Sequence, residues 1–176
     1  MSTRPLEGEP LALDLVDTLW IERDETHDLL SQAAGARSWL EERELPLGRA
    51  PLGAVRENLL ETREAIRACL RGQGDGQARL NAVLSHGHVR SELRDGRPVE
   101  TVATDDAAWR AAWLCARAYL DLLDGRPERI RKCANDACVL WFLDVSKNGR
   151  RRWCSMEGCG NRAKAERFAG RHSARS

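Results

Sequence analysis

The sequence predicts a mainly α protein with a small β component: a helical N-terminal domain carrying one β-hairpin, followed by a compact four-cysteine module. Three observations support this. Apolar residues recur at three- and four-residue spacing through most of the first 125 positions. The dipeptide Asp95-Gly96 separates two short runs in which that period is lost, a strong two-residue hairpin signal. Four of the six cysteines fall as two close pairs after Arg126-Pro127, which is a natural boundary between residues 1–125 and residues 126–176.

Taken in order, Leu11, Leu15, Val16, Leu19 and Trp20 follow Pro10 at helical spacing and predict a helix over residues 10–21. Ser31 is placed to cap a second helix that buries Trp39 and Leu40 and ends before Pro46. After Pro51, the stripe Leu52, Val55, Leu59, Ile66 and Leu70 predicts a long third helix, which Gly72 stops. Residues 77–85 give a short fourth helix with Leu80, Val83 and Leu84 inward. The hairpin then runs over 88–94 and 97–102. Thr104, with Asp105 and Asp106 in the first turn, opens a long helix whose core face is Trp109, Ala112, Trp113, Ala116, Leu120 and Leu123.

Composition narrows the class. Charged residues make up 31% and hydrophobic ones 42%, a globular balance rather than a disordered one. No apolar run approaches the roughly 20 residues that span a bilayer. The Met1-Ser2-Thr3-Arg4-Pro5 start has no apolar core and cleavage site, so the expectation is a cytoplasmic chain with reduced thiols and no membrane partner. The net charge of +1 conceals a split. Residues 126–176 carry 13 Lys/Arg against five acids, a net of +8, and the remainder is −7. A basic segment on an acidic body suits a polyanionic partner.

The cysteines read Cys133-x4-Cys138, fifteen residues, then Cys154-x4-Cys159. Two tight pairs around a hairpin-sized insert match a tetrahedral metal site. The insert supplies strand-like Val139 to Leu143, a turn at Lys147-Asn148-Gly149, and Arg150 to Trp153 as the expected return strand. A helix over 161–170 follows, with Ala165, Phe168 and Ala169 inward. Knuckle, hairpin, knuckle and helix describe a treble-clef or zinc-ribbon module. Four thiolates saturate one Zn2+, so the site is structural, and binding the ion supplies the folding energy that so short a module lacks. A disulfide framework is the alternative, and it would want an exported chain. Cys69 and Cys115 lie beside apolar helical positions and read as buried inert thiols.

The segments Cys154-Ser155-Met156, Cys159-Gly160-Asn161-Arg162-Ala163-Lys164, Phe142-Leu143-Asp144-x-Ser146 and Arg151-Arg152-Trp153-Cys154 resemble the CGNR zinc-finger family, named for its Cys-Gly-Asn-Arg signature. In that family the finger follows a helical domain called ABATE, of stress-induced transcriptional regulators. Leu13-Asp14-Leu15-Val16-Asp17-Thr18 and Trp39-Leu40 resemble that domain, with Asp17 where relatives commonly have Asn. The resemblance implies a transcription regulator with a DNA-binding finger.

Residue chemistry points the same way. Arg150, Arg151 and Arg152 precede the second cysteine pair, and Lys164, Arg167 and Arg171 form a basic stripe on the following helix. Such groups bind phosphates and release counterions. Asn161 and Arg162 have side chains that read adenine and guanine edges. They equally suit a helix cap for Asn161 and a bond to a carbonyl or to Asp144 for Arg162. Trp141 and Trp153 can stack on bases or fill the small core. DNA is preferred to RNA on the resemblance alone. A homodimer is expected by analogy with symmetric operators; Trp20, Trp39, Trp109 and Trp113 read first as core, with a small-molecule effector site among them as the alternative. The competing reading is a protein-interaction adaptor whose basic face docks an acidic partner. His86-Gly87-His88 and His27 match no catalytic spacing, and no phosphate loop or nucleophile elbow is present, so no enzymatic activity is expected.

Overall fold

The computed structural model describes residues 4–165. Its class is that predicted: helices dominate, with three two-stranded antiparallel sheets among the described residues. By compactness the chain divides into Leu29–Asp121 and a second unit made of Met1–Asp28 with Leu122–Ser176. The first 28 residues thus group with the cysteine module.

In the larger unit, a 3-10 turn Leu29–Ser31 leads into α2, Ala33–Glu42 (α1, Leu11–Val16, lies in the other unit). Its cap is Gln32, one residue later than Ser31 and without a side-chain bond. Trp39 and Leu40 are buried as expected. Helix α3, Leu52–Leu70, buries Val55, Leu59 and Ile66, and Gly72 turns the chain at φ +67°. Helix α4, Gly76–Leu84, packs closely on α3: a Cβ on Gly76 would lie 2.6 Å from the Cys69 nitrogen. Only glycine permits that approach.

The predicted hairpin forms as β3, Gly87–Arg94, and β4, Arg97–Thr104, with Arg94 opposite Arg97. Asp95 and Gly96 both have positive φ, the type I′ requirement. Thr104 therefore ends a strand rather than capping a helix. The cap is Asp106, whose carboxylate accepts the Ala108 N–H at 2.8 Å, and a 3-10 turn precedes α5, Arg110–Gly125. Helix α5 buries Ala112, Trp113, Cys115 and Ala116, while Leu123 is exposed. The Trp113 indole donates to the Leu84 carbonyl at 3.0 Å.

In the smaller unit, the helix expected over 10–21 is cut short. Helix α1 is Leu11–Val16, and β1, Leu19–Glu22, folds back on β2, Glu25–Asp28. The turn residues Arg23 and Asp24 take φ of 51° and 66°. Trp20, on the strand, is buried and stacks on His27 with ring centroids 5.3 Å apart. The cysteine module contributes β5, Ile130–Lys132, and β6, Trp141–Leu143, paired Arg131 to Phe142. Residues 150–153 are not a strand; β6 pairs upstream with β5, before the first knuckle. Phe142 is the buried centre of this small sheet. No helix among the described residues is long and apolar enough to cross a membrane.

Candidate metal centre and basic face

Each cysteine pair is shaped by its own backbone. In the first knuckle, Cys133 N–H donates to the Leu140 carbonyl at 3.0 Å and Cys138 N–H to the Asn135 carbonyl at 2.9 Å. Asn135 Oδ1 also accepts the Ala137 N–H, closing an Asx turn. In the second, Ser155 Oγ accepts the Gly158 N–H at 3.1 Å, and a π-helical turn over Met156–Gly160 delivers Cys159. The Ala134 N–H to Arg152 carbonyl bond, 2.8 Å, ties the knuckles together.

The four sulfurs of Cys133, Cys138, Cys154 and Cys159 lie within 4.8 Å of one another, all buried and none disulfide-bonded. Cys138 to Cys154 is 3.8 Å and Cys154 to Cys159 is 3.6 Å. A tetrahedron with Zn–S bonds of about 2.3 Å has edges of about 3.8 Å, so the spacing fits zinc. Packed so closely, the thiols cannot ionise alike. Hydrogen bonds from Cys138 and Cys154 hold Cys133 well below the usual thiol range, and the same contacts push Cys138 and Cys154 up. Four thiolates require a cation among them. Two N–H groups already face the sulfurs: Cys154 N to Cys133 Sγ and Asn135 Nδ2 to Cys159 Sγ, each at 3.5 Å. Such outer bonds orient ligands and spread their charge. The cluster is a site for one structural zinc ion.

The loop between the pairs is organised by Asp144. Its buried carboxylate accepts from Ser146 N at 3.0 Å, Ser146 Oγ at 2.5 Å and Arg151 N at 3.0 Å. The Ser146 hydroxyl bond chiefly, with the backbone bonds, holds Asp144 below the ordinary carboxylate range. Arg162, which the sequence allowed to pair with Asp144, is exposed instead.

The cations separate into two sets. Arg129 donates to the Asp144 and Ser146 carbonyls, and Arg131 to Gly149. Arg151 lies over the Phe142 ring at 4.3 Å, donates to the Trp153 and Cys154 carbonyls, and faces Glu9 at 3.5 Å. These three brace the module. Arg150, Arg152, Arg162 and Lys164 are exposed, with Arg152 5.1 Å over Trp153. Asn161 begins a helix and its amide bonds the Glu157 carbonyl at 3.3 Å. Ala165, expected inward, is exposed. Arg167, Arg171, Phe168 and Ala169 lie outside the described residues.

Two residues that no local pattern marked complete the centre. Strand β6 bonds β5 along one edge; along the other, Trp141 N–H donates to Asp17 Oδ1 at 3.0 Å and Leu143 N–H to Glu9 Oε2 at 2.7 Å. More than 120 residues separate each pair, so only the resemblance at Asp17 offered a signal. An Asn there also presents an oxygen to the same N–H.

The comparisons with known proteins agree with this geometry. The model of the CGNR zinc finger matches residues 129–172, which include all four cysteines. The model named ABATE, described as "Putative stress-induced transcription regulator", matches residues 9–126. No curated protein matches the chain. The chain belongs to the ABATE family and ends in a CGNR zinc finger.

Proposed function

We propose that the chain is a zinc-dependent, DNA-binding transcription regulator of the cytoplasm, with no catalytic role, in which Cys133, Cys138, Cys154 and Cys159 hold the ion. The observation that carries the reading is the placement of Arg150, Arg152, Arg162 and Lys164 at the surface around the second knuckle, while Arg129 and Arg151 are half-buried and bonded to the module's own carbonyls. Zinc fixes the knuckle, and the knuckle fixes where these cations stand. Outward cations on a rigid frame bind phosphates, and Asn161 and Arg162 lie at a helix start from which base edges can be reached. Arg167 and Arg171 extend the same basic segment in sequence.

The helical unit is the part proposed to sense a ligand or to dimerise. It holds a pocket of about 270 Å³ lined by Leu40, Leu45, Pro46, Leu47 and Leu52 together with the charged Arg37, Glu41 and Glu44. This pocket is the proposed place for an effector.

Fluorescence anisotropy of the full chain on duplex DNA across a salt series tests the reading. Reversing Arg150 and Arg152 to glutamate should weaken binding at least tenfold and flatten the salt slope by about 1 per lost phosphate contact. Unchanged affinity and slope in the double variant would refute it. Recovery of a stoichiometric acidic protein, with no DNA bound at any salt, would favour the adaptor reading.

A further inference from the structure

The loop that carries the outward arginines is concave. Arg150, Arg151, Arg152, Trp153, Ser155 and Met156 enclose about 360 Å³, within the roughly 300–1,000 Å³ range of small-ligand pockets. Its composition exceeds what phosphate binding alone requires. Arg150 and Arg152 stand exposed beside it, Trp153 is half-buried under the Arg152 guanidinium, and Met156 is 54% exposed. The floor is fixed: Arg151 is held by two carbonyls, and Ser155 by the Gly158 and Gly160 N–H groups.

Cations beside an indole and a thioether match the two halves of a nucleotide. Guanidinium groups take the phosphate, and the indole, thioether and guanidinium plane offer stacking surfaces to a base. A base paired within a duplex cannot enter a pocket made by one loop, because its faces are already stacked. We infer that this pocket receives a single unpaired nucleotide of the bound strand, so that the finger prefers nucleic acid with a locally opened or bulged position. The inference rests on the nucleic-acid-binding reading above and adds the form of the ligand.

The test uses the zinc-loaded full chain and two labelled DNA probes that differ only in one bulged nucleotide. The expected result is about tenfold tighter binding of the bulged probe, near the low end of what stacking one base contributes. In Met156→Ala, with zinc content unchanged, the ratio of the two affinities should fall clearly below tenfold, because one of the stacking surfaces is gone while Trp153 remains. Equal affinities in the wild type, with duplex binding intact, would overturn this inference alone. A tenfold preference that persists in Met156→Ala would exclude this pocket as its source. No binding to either probe would overturn the nucleic-acid reading together with it.

Discussion

Glu9 has its side chain almost fully buried, where it accepts the Leu143 N–H and faces Arg151. Burial raises its pKa above the ordinary 4.5, outweighing the lowering effects of Leu143 and Arg151. A carboxyl with a raised pKa binds its proton more readily in the folded chain. Its contribution to stability is therefore full below about pH 4.5 and is lost as pH rises through the folded value. Glu9→Gln keeps an oxygen for Leu143 and cannot ionise. Urea denaturation across pH should show that this variant lacks the decline above pH 4.5 and matches or exceeds the wild type at neutral pH. Asp17 has a different test. Asp17→Asn retains the acceptor for Trp141 N–H, whereas Asp17→Ala leaves a buried donor without it, at a cost of about 1–3 kcal/mol. Thermal melts of the zinc-loaded chain should therefore rank Asn near the wild type and Ala well below it. These contacts were beyond sequence reasoning because they join residues from opposite ends of the chain.

At the scale of elements, legibility followed how local the cause was. The helices α3 and α4 and the β3–β4 hairpin were readable because their stripes and their Asp95-Gly96 turn are short-range signals. The β1–β2 hairpin was not. Leu15, Val16, Leu19 and Trp20 mimic a helical stripe, and the reversing residues Arg23 and Asp24 lack the glycine that usually marks positive φ. That same feature yields a prediction. A non-glycine residue in the left-handed region is strained, so Asp24→Gly should raise stability by up to about 1 kcal/mol, measured as a higher urea midpoint at unchanged slope. In the finger, the gathering of the four cysteines is legible from their spacing, whereas the partner of β6 is not. Ile130-Arg131-Lys132 is only three residues and mostly charged, so it carries little strand signal. Arg150 to Trp153 looked suitable for a return strand, but Asp144 and the Ala134–Arg152 bond take up its backbone.

For the whole molecule, the segment charge of +8 overstates the surface available to a partner. Arg129, Arg131 and Arg151 serve the loop and β6, leaving Arg150, Arg152, Arg162 and Lys164 among the outward cations of the described residues. The frame that positions them includes Glu9 and Asp17 as well as the cysteine knuckles, so the first 28 residues belong to the same compact unit as the finger. Stepwise chelation of the pure, reduced chain, with zinc content and DNA affinity read on the same samples, addresses the account most directly. It predicts one zinc per chain at the start and DNA binding that falls in proportion to the metal removed. A metal-free chain that binds DNA with the original affinity and salt dependence would contradict it.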